Sequence, residues 1–112
     1  MNALRAIILT ALLLCGPGLA RATVIMGPGG ASCGTWASDR QRDQSRSQLN
    51  QAWVLGYVTA YNLYKPPQEG MAKPVDSRGI MLWIDNYCDA NPQKDISDAA
   101  RALIESLTER GQ

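Results

Sequence analysis

An all-α domain of four helices is the fold class that this sequence predicts. Two stretches, Ile80 to Cys88 and Ile96 to Leu107, place apolar residues at the i, i+3, i+4, i+7 spacing of a half-buried helix. A third, Leu49 to Tyr64, is apolar over a helical length, and no run alternates apolar and polar residues as a half-buried strand would.

Taken in order, residues 23–34 (TVIMGPGGASCG) are rich in glycine and read as an extended leader with turns, ahead of a helical domain over residues 35–112. Thr35 to Gln48 is polar with mixed charges. It predicts a first helix with a solvated charged face, either continuous with the next or broken near Ser45 to Ser47. In the central helix, Leu49, Ala52, Trp53, Gly56, Ala60, Leu63 and Tyr64 share one face at 100° per residue, while Val54, Leu55, Val58 and Tyr61 occupy the other. A helix apolar almost all round requires burial on most sides, under the other helices or against a second copy in a homodimer. Lys65-Pro66-Pro67 ends it, because proline lacks the donor and disfavours helical geometry in the residue before it. After a loop to Val75, Asp76 is an N-cap for a third helix with Ile80, Trp83, Ile84, Tyr87 and Cys88 on its inner face. Asn91-Pro92 punctuates. Asp95 then opens a last helix, with Asp98 in a capping-box position and a clean stripe of Ile96, Ala99, Ala100, Leu103, Ile104 and Leu107.

Residues 1–22 read as a cleaved secretory signal peptide: one early charge at Arg5, an apolar run from Ala6 to Leu14, a Gly-Pro-Gly break, and Ala20-Arg21-Ala22 before an expected mature start at Thr23. The run is far short of the roughly 20 residues that cross a bilayer. A lipoprotein signal ending at Cys15 fits less well, because Leu14 is bulky where such signals carry a small residue. Export leaves Cys33 and Cys88 as the only cysteines, in a compartment that permits disulfides, and a single pair has one connectivity. Such a bond would contribute roughly 4 kcal/mol by loop-closure entropy.

Eleven Lys and Arg, less Arg5 and Arg21, leave nine against ten Asp and Glu. This near-neutral balance argues against a nucleic-acid partner, which needs a basic stripe to displace counterions. It argues equally against a polybasic membrane anchor. Gly30-Ala31-Ser32-Cys33-Gly34 matches the nucleophile-elbow pattern, but the chain has no histidine to act as base and is too short for the sheet on which that elbow sits. The same absence removes a Cys-His nucleophile and histidine zinc sites, and two thiols do not hold a structural zinc. Gly29 to Thr35 imitates a phosphate loop with Thr35 where the lysine is required. The acid pairs Asp85/Asp89 and Glu105/Glu109 lie four apart, yet are expected as solvated surface groups without the cleft that glycosidase chemistry needs. The reading is of a protein that is not an enzyme, with no cofactor and no metal.

Tyr87-Cys88-Asp89-Ala90-Asn91-Pro92-Gln93-Lys94 resembles the stretch Tyr-Cys-x-x-Asn-Pro of the periplasmic acid-stress chaperones of the HdeA/HdeB type. Cys33 three residues before Trp36, the apolar helix from Ala52 to Lys65, and Asp76 opening the next helix are similar to that family in outline. The resemblance implies a periplasmic helical domain whose one disulfide joins the first helix region to the penultimate helix. It further implies a chaperone for unfolded clients, loosened when acid protonates the carboxylates, with Trp53, Val54, Leu55, Val58 and Tyr61 as the client-binding candidates. A second outline is similar to the Tai/Rap immunity proteins of type VI secretion, through Trp53-Val54-Leu55-Gly56-Tyr57 and Asp98 to Leu103. The partner there would be a toxin. This chain lacks the extra cysteine and the Cys-x-Pro element associated with that group.

Overall fold

The protein, in a computed structural model, is described at residue 18 and over residues 23–65 and 75–109. The segment expected as a signal peptide, apart from residue 18, lies outside these residues together with its Cys15, as do the loop over 66–74 and residues 110–112, so the expectations placed there stand as such. Within them the chain is all-α: a 3-10 turn at Gly27–Gly30, then helices α1 (Cys33–Arg42), α2 (Gln44–Tyr64), α3 (Ser77–Ala90) and α4 (Ile96–Glu109). One disulfide, Cys33 to Cys88, joins the first residue of α1 to α3, the penultimate helix, with the two Cα atoms 4.7 Å apart.

The start of α1 shows how the fold is fastened. A helix leaves its first four N–H groups without internal partners. Here the Cys33 N–H donates to the Lys94 carbonyl at 2.7 Å and the Gly34 N–H to that of Pro92 at 3.0 Å. Ser32 supplies the rest: its Oγ accepts from the Thr35 N–H at 3.0 Å, and its carbonyl from the Trp36 N–H at 3.0 Å. The Ile96 N–H returns to the Ala31 carbonyl at 2.9 Å. The link between α3 and α4 therefore caps α1. Asn91 closes α3 by donating from Nδ2 to the Tyr87 carbonyl at 2.9 Å.

The leader expected as extended through Gly34 is shorter and more ordered than that. α1 begins at Cys33, and Gly27 adopts a φ of 74°, which a side chain would strain. Gly29 is buried against the Trp53 ring, which a Cβ at that position would overlap, and the Trp53 indole donates to the Met26 carbonyl at 2.7 Å. A long-range contact thus shapes a segment with little preference of its own.

The break between the first two helices falls at Asp43, not at Ser45 to Ser47. Asp43 ends α1 and N-caps α2, its carboxylate accepting from the Arg46 N–H at 3.0 Å. α1 is also less solvated than its charges suggest. Asp39 is buried, and its carboxylate accepts from Asn50 Nδ2 at 2.9 Å, tying α1 to α2.

The central helix is covered on one side only. Val54 is wholly buried, with Leu55, Val58 and Tyr61 packed half-buried against the core. Leu49, Ala52, Gly56, Ala60 and Leu63 face out, with Leu49 at 65% and Leu63 at 70% exposure. The requirement of burial on most sides is not met within one chain. α3 and α4 follow their periodicity: Ile80, Ile84 and Cys88, and all six residues of the α4 stripe, are buried, joined by Met81. Asp76 caps α3 through the Gly79 N–H at 2.7 Å, and Asp98 reaches back to the Asp95 N–H at 3.2 Å.

Candidate functional site

Cys33, Trp36 and Cys88, three of the residues that carry the resemblance, come together where α1 meets α3. The disulfide is fully buried there, and Trp36, 1% exposed, sits one turn along α1. Its indole N–H donates to Asp85 Oδ1 at 2.8 Å. Arg40, a further turn on, binds the same carboxylate with Nε at 2.9 Å and Nη2 at 2.7 Å. Asp85 therefore accepts three hydrogen bonds from α1, and the bidentate guanidinium fixes the register of the two helices.

This corrects the expectation of a solvated acid. Partial burial by itself pushes the Asp85 carboxyl up, but the hydrogen bonds from Arg40 and Trp36, with the Arg40 charge, outweigh it and hold the group below its ordinary value. The hydrogen bond to Asp85 in turn raises the Arg40 guanidinium, against the lowering effect of its own partial burial. A general acid at pH 7 needs the opposite shift, so the geometry makes Asp85 a structural acceptor. Because Asp85 is more acidic folded than unfolded, its contribution is complete above the unfolded carboxylate pKa of about 3.9 and is lost as pH falls through the lower folded value. Asp85→Asn keeps the Trp36 acceptor but loses the ion pair, which is about one-third exposed. It should cost about 1 kcal/mol at pH 7. Thermal melts across pH 2 to 7 should show that difference shrinking toward zero in acid; a constant difference would contradict the assignment.

Ser32 of the elbow-like motif caps a helix, so its Oγ is engaged in structure. Asp89 and Glu105 are exposed, and the Glu109 side chain lies outside the described ones. Among the described residues no group of three or more His, Cys, Asp or Glu side chains is placed to hold a metal ion, and no helix is long and apolar enough to cross a membrane.

The five client-binding candidates are together on α2 but do not form an open patch. Val54 belongs to the core of the folded chain. Trp53 covers the leader and lies 5.6 Å from the Tyr57 ring; Leu55, Val58 and Tyr61 line the inner flanks. What is open instead is an apolar groove of about 650 Å³ between the leader, α1 and α2, with Pro28, Ala31, Leu49, Ala52 and Trp53 along it and Asp39, Arg46 and Asn50 among its walls. No sequence signal pointed to it, since it is made by the docking of the leader. The disulfide fits an oxidising, extracytoplasmic setting. Comparison with protein-family models, with curated proteins and with solved structures gives no match.

Proposed function

We propose that this chain is a non-enzymatic binding protein of the periplasm, acting as an acid-stress chaperone of the HdeA/HdeB type that offers the inner side of α2 to unfolding clients. The observation that carries this reading is an asymmetry in how the helices are held. α1 and α3 are stapled by Cys33–Cys88, whereas α2 rests on the core through Val54 and its half-buried neighbours without a covalent tie. Acid acts on the non-covalent part alone. Below about pH 3 most carboxylates are neutral, and the mature chain keeps nine Lys and Arg plus its amino terminus, near +10 in charge. The Arg40–Asp85 pair loses its attraction as pH falls through the lowered Asp85 value, and self-repulsion loosens the packing.

Under this reading Trp53, Val54, Leu55, Val58 and Tyr61 become accessible while the disulfide keeps the chain from unravelling. Binding of a hydrophobic dye should rise as pH falls from 5 to 2, with no step near pH 6.5, because the chain has no histidine. A protein that binds no more dye at pH 2 than at pH 7 would overturn the proposal. The second reading, an immunity protein that neutralises a type VI secretion effector, is favoured by the groove beside Trp53, which is open without acid. Tight binding of a co-encoded toxin at neutral pH, with no acid-dependent exposure, would put it first.

A further inference from the structure

Asp39 carries a charge that the described residues do not pair. It is 9% exposed, and a buried charge ordinarily has an opposite one beside it. Arginines stand close in sequence, but they are engaged elsewhere: Arg40 binds Asp85, and Arg46, its side chain 70% exposed, lies 3.9 Å from Asp43. What Asp39 has is one neutral donor, the Asn50 amide on its Oδ2. Its Oδ1 accepts from no described residue, and neither does the Oδ1 of Asn50, a residue only 5% exposed.

Asp39 and Asn50 belong to the wall of the groove between the leader, α1 and α2, whose lining is otherwise mainly apolar, with Pro28, Leu49 and Trp53 along it. We propose that this groove binds a small organic amine, its ammonium against Asp39 and its apolar body along Trp53 and Leu49. The geometry favours an ammonium over a guanidinium. The planar guanidinium fork bonds best to both oxygens of a carboxylate, and Oδ2 is already engaged, whereas an ammonium is a compact donor that one oxygen serves. Asn50 Oδ1 is a second acceptor for its remaining N–H groups. The indole of Trp53 suits an apolar or aromatic body, and its π-electrons attract a neighbouring cation.

Size agrees with a small molecule as the occupant. The groove of about 650 Å³ falls within the range of roughly 300–1,000 Å³ usual for such sites, and one lysine side chain reaching in from a partner protein would leave much of it empty. It is also formed in advance: Trp53 is held by its hydrogen bond to the Met26 carbonyl and by its fit against Gly29. Because the groove is open without acid and lies apart from the inner flanks of α2, this site does not rest on the chaperone reading.

Phenethylamine is the probe, and phenethyl alcohol is its uncharged counterpart. Calorimetry at pH 7 should show saturable binding of the amine at one site per chain, with a dissociation constant on the order of a millimolar or below. The alcohol should bind at least about tenfold more weakly. Nuclear magnetic resonance shifts on adding the amine should centre on Ala31, Ala52 and the Trp53 indole. Asp39→Asn keeps an acceptor for Asn50 and removes the charge, so it should weaken the amine at least about tenfold and leave the alcohol unchanged. Ala52→Trp fills the groove from an exposed position on α2 with Asp39 intact. It should abolish amine binding, and it carries the test should Asp39→Asn fail to fold. No saturable binding in the millimolar range, an alcohol that binds as well as the amine, shifts centred elsewhere, or a folded variant of either kind that binds the amine like wild type would each overturn the proposal. Equally tight binding of N-acetyl-lysine methylamide would overturn it in favour of a partner protein's lysine.

Discussion

Removing the Cys33–Cys88 bond, by reduction or by Cys88→Ala, is expected to destabilise the fold by about 3–4 kcal/mol. The bond spans 55 positions of sequence and so removes much of the freedom of the unfolded chain, and both cysteines are fully buried in the native state. For a domain of this size the loss corresponds to a fall in melting temperature on the order of 15 °C or more. Its effect should be larger than cavity formation at Cys88 alone, because α1 is held at that end by the Lys94 and Pro92 carbonyls, which the bond keeps in place. Thermal unfolding with and without reductant reads this directly. Oxidised and reduced protein melting within a few degrees of each other would show that the clasp of backbone hydrogen bonds suffices.

Trp36→Ala is expected to cost about 4 kcal/mol, near the upper range for emptying an aromatic site in a core. Trp36 is among the largest fully buried side chains, and it is the residue of α1 that reaches α3 both by packing and by its hydrogen bond to Asp85. Trp36→Phe separates the two contributions: it keeps most of the volume and loses the indole donor, so about 1–2 kcal/mol should be lost. Chemical denaturation of the two variants checks the ordering. A phenylalanine variant as damaged as the alanine one would place the weight on the hydrogen bond instead of the packing.

The parts of this fold that were legible in the sequence are those where one apolar stripe faces one polar one. The α4 stripe from Ile96 to Leu107 is buried at all six expected positions, and Asp76 and Asp95 open their helices as their spacing predicts. α2 was legible as a helix but not as an oriented one. With apolar residues on both sides, periodicity leaves the inner face undecided, and what decides it is polar: Asn50 and Ser47 are drawn inward, Asn50 by Asp39 on another helix. The same kind of distant partner explains the remaining differences. Asp85 is separated from Arg40 and Trp36 by more than forty residues, so an acid pair on one helix looked solvated. The turn at Gly27–Gly30 exists because the Trp53 ring lies against it, which no local pattern in the leader encodes. The motif Tyr87 to Lys94 was conspicuous in sequence, and in the structure its carbonyls cap α1 and its cysteine closes the disulfide.

Protection of an aggregating client as a function of pH tests the central claim most directly. With an unrelated client that precipitates in acid, the protein is expected to suppress light scattering at pH 2 to 3 and to have little effect at pH 7. The transition should span the range over which carboxylates titrate. Replacing Val54, Leu55 and Val58 together by Ser should weaken this protection more than replacing Arg40 and Arg42, with folding of each variant at pH 7 verified by circular dichroism because the first change touches the core. A wild-type protein that stays compact and leaves the client's aggregation unchanged at pH 2 to 3 would contradict the account.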